Sequence, residues 1–190
     1  MTTIAYDTIS FAADSQETMT NGERCSKPVR KISLVRAKMR GAAREERLVV
    51  ATSGSLHTGR ALLRHYLFSE RTLDCLPPIQ LNDGATLLVC HLDRDKDGKL
   101  VSRRAAATIS VWERPTYCVC RDGGIIAVTG SKFAIGSGCD YARGAMEAGK
   151  SATLAVEIAI RLDTGCGPPV TSIDLGVAAR DGLTFQPITE

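Results

Sequence analysis

The sequence predicts an α+β protein in which sheets and helices occupy separate layers. Three observations predict it. Short apolar runs with period-two alternation cluster at both ends and in the middle of the chain, as strands do. Helical spacing of apolar residues takes over at residues 57–70 and again at 141–148 and 152–163. The resulting order is strands, one helix, strands, two helices, strands. Clustering of like elements favours layered packing with antiparallel sheets.

The elements follow in order. Residues 2–13 read as two short strands turning at Asp7-Thr8, with Ile4 and Tyr6 alternating before the turn and Ile9 and Phe11 after it. Val29–Val35 is the next strand, inside the basic stretch Lys27–Arg47. A solvated loop around Gly41 separates it from the strand Leu48–Thr52, which Ser53-Gly54-Ser55 closes. Leu56, Leu63, Tyr66 and Leu67 define the amphipathic face of the first helix, and Pro77-Pro78 marks a break. Thr86–Leu92, Leu100-Val101 and Ala107–Trp112 are strand-like. Tyr117–Cys120 and Ile125–Thr129 form a hairpin about Arg121–Gly124. Phe133–Ile135 runs into Gly136-Ser137-Gly138. The helix Tyr141–Ala148 is alanine-rich, and the helix over 152–163 places Ala155, Ile158, Ala159 and Leu162 on one face. A terminal hairpin pairs Thr171–Ala178 with Leu183–Ile188 around Arg180-Asp181-Gly182.

A chain of 190 residues with 44% apolar and 24% charged residues is expected to form a single domain over 1–190 with a full core. A net charge of +3 is too small to argue for nucleic acid or an anionic membrane surface. No run approaches the ~18 apolar residues of a membrane span, and the N-terminus lacks the basic and apolar segments of a signal peptide. The seven cysteines are odd in number and scattered, as free thiols are in a reducing compartment. The expected location is therefore cytoplasmic.

Several motifs have plain explanations. Asp93, Asp95, Asp97 and Gly98 match the first half of a calcium loop. Its last position is Arg104 rather than Glu, so a polar hairpin turn fits better. Cys118-x-Cys120 has no second pair to make a zinc site, and strand alternation accounts for it. Gly130-Ser131-Lys132 and Gly136-Ser137-Gly138 complete neither a P-loop nor a dinucleotide pattern. No metal or cofactor is expected. His57, His65 and His91 show no nucleophile pairing by local signature and read as structural.

Without a histidine base, a nucleophile needs another proton acceptor. The α-amine of an N-terminal Thr is one. Its ordinary pKa of ~7.7–8.0 lies near working pH. Removal of Met1 would put the hydroxyl and amine of Thr2 on one residue at the start of a strand. Thr after an initiator Met is common, so this position gains weight only from its company.

That company is TTIAYD…FAADSQET, then KPVRKI, VVATSGSLHTGRALL, AIGSGCDYARGAM and LDTGCG, in that order across nearly the whole chain. Together these stretches resemble the proteasome β-type subunits, most closely the bacterial HslV branch, within the N-terminal-nucleophile threonine hydrolases. The resemblance implies a four-layer αββα sandwich. It matches Thr2 to the nucleophile, Asp14 to the acid paired with an essential lysine, and Lys31 to that lysine. Gly54 matches the oxyanion-hole glycine. Ser137, Asp163 and Cys166 match the groups around the terminal amine, where proteasome members commonly have Ser in place of Cys166. Thr18 matches a position lining the substrate strand, and Glu17, Val29, Ser33, Thr52 and Leu56 would line the pocket beside Thr2. The Asp7-Thr8 turn is shorter than in the family, and the insert Arg36–Arg47 is longer and more basic. Asp14 and Lys31 are equally readable as one structural ion pair.

The activity so implied is that of a threonine endopeptidase within stacked homo-oligomeric rings of six or seven subunits, acting on peptides or unfolded protein. Family members often need a separate AAA+ ATPase unfoldase, and this chain carries no complete phosphate loop of its own. Two other readings stay open: a catalytically silent ring or scaffold subunit of the same fold, and an amidase acting on small molecules through an N-terminal Thr.

Overall fold

A computed structural model of the chain describes residues 2–17, 23–25, 27–38, 45–68, 85–94, 100–102, 117–121, 124–127, 131–175 and 186–188. In chain order the elements are β1 (Thr3–Tyr6), β2 (Ser10–Asp14), β3 (Ile32–Ala37), β4 (Glu46–Gly54), α1 (Leu56–Phe68), β5 (Ala85–Arg94) and β6 (Leu100–Ser102). They continue with β7 (Tyr117–Arg121), β8 (Gly124–Ala127), β9 (Phe133–Gly136), α2 (Cys139–Glu147), α3 (Ala152–Leu162), β10 (Val170–Asp174) and β11 (Gln186–Pro187). The protein is thus mixed α/β, with two sheets. It divides into two compact units: Met1–Ile32 with Gly130–Asp174, and Ser33–Thr129 with Leu175–Glu190.

The first unit is a four-stranded antiparallel sheet in the order β10-β2-β1-β9. Asp7 makes the β1–β2 turn. Its carboxylate accepts from the Ile9 and Ser10 N–H groups at 3.1 and 2.8 Å, an Asx-type turn that tolerates Thr8 at φ 76°. The same carboxylate accepts from the Ala152 N–H at 2.7 Å, so it also caps the first turn of α3. Ser151 adds the N-cap, its Oγ accepting from the Leu154 N–H.

α2 and α3 pack on this sheet through very small residues. Ala5 and Ala12 face Ala142, Met146, Ala152, Ala155, Val156 and Ala159. The buried stripe of α3 is therefore Ala152, Ala155, Val156 and Ala159. The expected stripe was rotated from this one: Ile158 is only half-buried and Leu162 is 56% exposed. Alanines win the inward face because only small side chains let the helix sit close on a sheet surface that is itself alanine. Tyr6 and Phe11 stack with ring centroids 4.4 Å apart, completing the buried β1–β2 pair.

The second unit has the strand order β11-β3-β4-β5-β7-β8, with β6 paired to β5. α1 packs on it, burying Leu62, Leu63, Tyr66 and Leu67 against Leu48, Val50, Leu87 and Val89. The β7–β8 hairpin forms as expected, and Cys118 and Cys120 lie in β7. The turn 180–182 of the expected terminal hairpin and its arms 176–178 and 183–185 lie outside the described residues; among the described strands β10 pairs with β2 and β11 with β3 in parallel. One strand boundary is corrected. The strand expected over Val29–Val35 starts later, at Ile32, because the preceding residues make other contacts described below. The expected strand Ala107–Trp112, the loop 95–99 of the calcium-like motif, and residues 39–44 of the basic insert lie outside the described residues. No described helix is long and apolar enough to cross a membrane.

Asp7→Ala should lower unfolding stability by about 2 kcal/mol, since it strips a turn and a helix terminus of one shared acceptor. Urea denaturation should show a lower midpoint at unchanged slope.

Candidate active site

Four strand ends meet at one edge of the first sheet. β1 begins there with Thr3. Both its neighbours run antiparallel to it, so β2 ends there with Asp14 and β9 with Gly136, which pairs with Thr3. β10 begins there, Val170 opposite Asp14. The segments that leave or enter these ends, 15–17, 137–138 and 163–167, consequently gather around Thr2 and Thr3. Lys31 arrives by a separate route. The Val29 N–H donates to the Ser15 carbonyl at 2.9 Å and the Cys25 N–H to the Glu17 carbonyl at 2.8 Å. The returning chain is thereby held beside residues 15–17, and this is why β3 cannot start at Val29.

Asp14 is fully buried and accepts four hydrogen bonds. Oδ1 takes the Thr3 N–H at 2.8 Å and Lys31 Nζ at 3.0 Å. Oδ2 takes the Gln16 and Gly167 N–H groups, each at 3.2 Å. Lys31, only 5% exposed in its side chain, also donates to the Gln16 carbonyl. A buried charge pair is tolerable only when its remaining lone pairs and protons are satisfied, and here both partners have further ligands.

Thr2 is itself buried. Its nitrogen donates to Ser137 Oγ at 3.3 Å and its carbonyl accepts from the Gly138 N–H at 3.5 Å, with Ser137 Oγ 3.4 Å from the same carbonyl oxygen. Asp163, beyond the end of α3, accepts from the Gly165 N–H at 2.9 Å and the Cys166 thiol at 3.2 Å. Burial would raise the Asp163 carboxyl, but hydrogen bonds from Ser137, the Gly165 N–H and Cys166 outweigh it and hold the group below the usual carboxylate range. Burial pushes the Cys166 thiol up to about 11; the hydrogen bond to Thr3 opposes this, while the bond to Asp163 and the Asp14 and Asp163 charges add to it. Thr3 Oγ1 lies 2.9 Å from Cys166 Sγ.

Thr2, Asp14, Lys31, Ser137, Asp163 and Cys166, six of the residues singled out by sequence, thus come together in the first unit. Val29 is half-buried and Glu17 exposed in the same unit. Thr18 lies outside the described residues. Gly54, Ser33, Thr52 and Leu56 belong to the second unit. Gly54 closes β4 at φ 86°, a backbone conformation suited to glycine, and Thr52 packs its methyl against Gly59 of α1. His91 is structural, its Nε2 bonded to Tyr66 Oη at 2.9 Å in the second unit. Among the described residues no group of His, Cys, Asp and Glu is arranged to hold a metal ion.

Sequence reasoning missed Thr3 and Gly138. A Cβ at Gly138 would collide with Thr3 Oγ1 and stand 3.2 Å from Ala159 Cβ. The Gly-Ser-Gly run was the available signal for the glycine. For Thr3 the signal was its neighbour: a strand that starts beside the candidate Thr2 puts the next side chain in the layer around it.

No family model matches the chain, and no curated protein matches its sequence. Solved structures do. Anbu (ancestral beta-subunit) from Yersinia bercovieri superposes with a TM-score of 0.55 at 17% identity, covering 91% of this chain and 80% of that one. The fold is shared with Anbu. Thiobacillus denitrificans BPH aligns more loosely, with a TM-score of 0.46 at 18% identity over 92% of this chain and 97% of that one. BPH in complex with epoxomicin gives 0.47 at 17% identity over 92% and 98%.

Two outcomes follow from this geometry. Gly138→Ala should cost about 1–3 kcal/mol, because neither the Thr3 hydroxyl nor Ala159 can yield without moving its strand or helix. Equilibrium denaturation measures it. A thiol whose folded pKa is raised contributes stability that is complete below the unfolded value near 9.0 and is lost as pH climbs through about 11. Stability should therefore decline across that alkaline window, and Cys166→Ser should remove this part of the decline in a pH series of melts.

Proposed function

We propose that the chain is an N-terminal-nucleophile threonine endopeptidase, Thr2 being the nucleophile once Met1 is removed. The observation that carries this reading is the buried Lys31–Asp14 pair tied at 2.8 Å to the Thr3 N–H, with the Thr2 nitrogen on Ser137 Oγ. A lysine buried beside the first strand residue places a positive charge where it favours a neutral terminal amine. Ser137 accepts from the Thr2 nitrogen, and Cys166, bonded to Asp163, lies 3.9 Å from Ser137 Oγ.

In this reading Thr2 Oγ attacks the scissile carbonyl and its proton passes to the Thr2 α-amine. The oxygen–carbon bond forms, and the carbon–nitrogen bond then breaks as the leaving amine takes that proton. Water hydrolyses the resulting ester and restores Thr2. The resemblance assigns the Gly54 N–H to the oxyanion, a kind of contact worth about 3–4 kcal/mol in comparable enzymes. It assigns Thr18 to the substrate strand, and Glu17, Val29, Ser33, Thr52 and Leu56 to the pocket.

The fold shared with an ancestral β-subunit supports a wider proposal. It comprises a single four-layer αββα domain of the HslV type, assembled in cytoplasmic homo-oligomeric stacked rings, served by a separate AAA+ unfoldase and acting on peptides or unfolded protein.

The test is intact mass before and after incubation with a peptide epoxyketone, which forms its ring adduct only with the hydroxyl and free amine of an N-terminal Thr. Loss of Met1 and one adduct per chain, absent in Thr2→Ala, is the expected result. Retained Met1, or a processed chain that refuses the probe, refutes the active enzyme and favours a silent ring subunit. Turnover of small amides alone favours an amidase.

A further inference from the structure

We infer that Thr3 is a positioning residue that ties the two acid sites together, its N–H fixing Asp14 and its hydroxyl fixing the Cys166 thiol on Asp163. This rests on the Thr2 reading for its role in the reaction, though not for the hydrogen-bond thread itself.

The direction of the thread follows from proton counting. Cys166 has one thiol proton and three partners, Thr3 Oγ1 at 2.9 Å, Asp163 Oδ2 at 3.2 Å and, more distantly, Ser137 Oγ at 3.9 Å. An ionised carboxylate only accepts, so the thiol proton goes to Asp163. The proton between Thr3 and Cys166 is then the threonine's, and Thr3 donates to sulfur. A neutral thiol is a weak donor, but one whose sulfur receives a hydrogen bond is polarised toward donating its own proton. Thr3 in this way orients the group that proteasome-type relatives make a serine.

Thr3 has little freedom to do otherwise. It is fully buried, it sits in β1 opposite Gly136, and its Oγ1 lies against Gly138 so closely that no side chain fits there. Its N–H holds Asp14 Oδ1, the same oxygen that holds Lys31. Thr3 is bonded to Asp14 through its N–H and to Cys166 through its hydroxyl, while the neighbouring Gly167 N–H also reaches Asp14 Oδ2. Displacement of Cys166 moves Ser137, which accepts from the Thr2 nitrogen and lies 3.9 Å from the Cys166 sulfur.

Substitution separates the two contacts, because Thr3→Val keeps the N–H and the shape while removing the hydroxyl, and Thr3→Ser keeps both donors. The experiment uses the full chain and two readouts: the Asp163 carboxyl titration by carbon NMR, and the rate of peptide-epoxyketone adduct formation by intact mass. Thr3→Val should raise the Asp163 titration toward the ordinary carboxylate range and slow the adduct about tenfold or more, as misplaced catalytic groups do. Thr3→Ser should restore both. A Thr3→Val protein with wild-type titration and wild-type rate overturns the inference, and so does a shifted titration with an unchanged rate. If the wild type itself forms no adduct, the Thr2 reading has failed, and the Asp163 titration alone decides whether Thr3 holds the thread.

Discussion

A carboxylate buried to zero exposure is the constraint around which the first unit is arranged. Asp14 needs donors on both oxygens, and a single lysine satisfies only part of that need. Three backbone N–H groups meet the remainder, from β1, from the segment just after β2, and from the segment just before β10. Each is available only because antiparallel neighbours start and stop at the same sheet edge. The strand register and the electrostatics of the site are thus one requirement. A slip of one residue in β1 against β2 would put the Thr3 side chain on the opposite face and leave the carboxylate short of a donor.

Close helix packing brings in the other half of the site. The segment 163–167 follows α3 directly, so its distance from Thr2 and Thr3 depends on how near α3 lies to the sheet. Ala152, Ala155 and Ala159 on the helix and Ala5 and Ala12 on the strands keep that distance short. Gly138 does the same for the turn before α2. Larger side chains at these positions would bury more apolar area and would also lift Asp163 and Cys166 away from Thr2.

Much of this arrangement was legible in the sequence, and what was not has a physical cause. Periodicity located the helices and most of the described strands within a few residues, because amphipathic spacing is a local property. The six site residues of the first unit were found by resemblance: Asp14 and Lys31 are seventeen positions apart, and nothing in their spacing says that they meet. The inward face of α3 was misjudged because Ile158 and Leu162 are more hydrophobic than alanine, whereas the sheet beneath selects for size. The pairings of β10 with β2 and of β11 with β3 were not legible because strand pairing between distant segments is a long-range choice. Thr3 escaped notice because its role depends on a sulfur 163 residues away.

The sulfur in this network has a bearing on durability. Peroxides and related oxidants attack the thiolate, not the thiol. Cys166 is 2% exposed and keeps its proton until about pH 11, so almost none of it is in the reactive form at neutral pH. Burial and the neighbouring carboxylates thus let a cysteine serve in a hydrogen-bond network while keeping its sulfur in the less reactive protonated form.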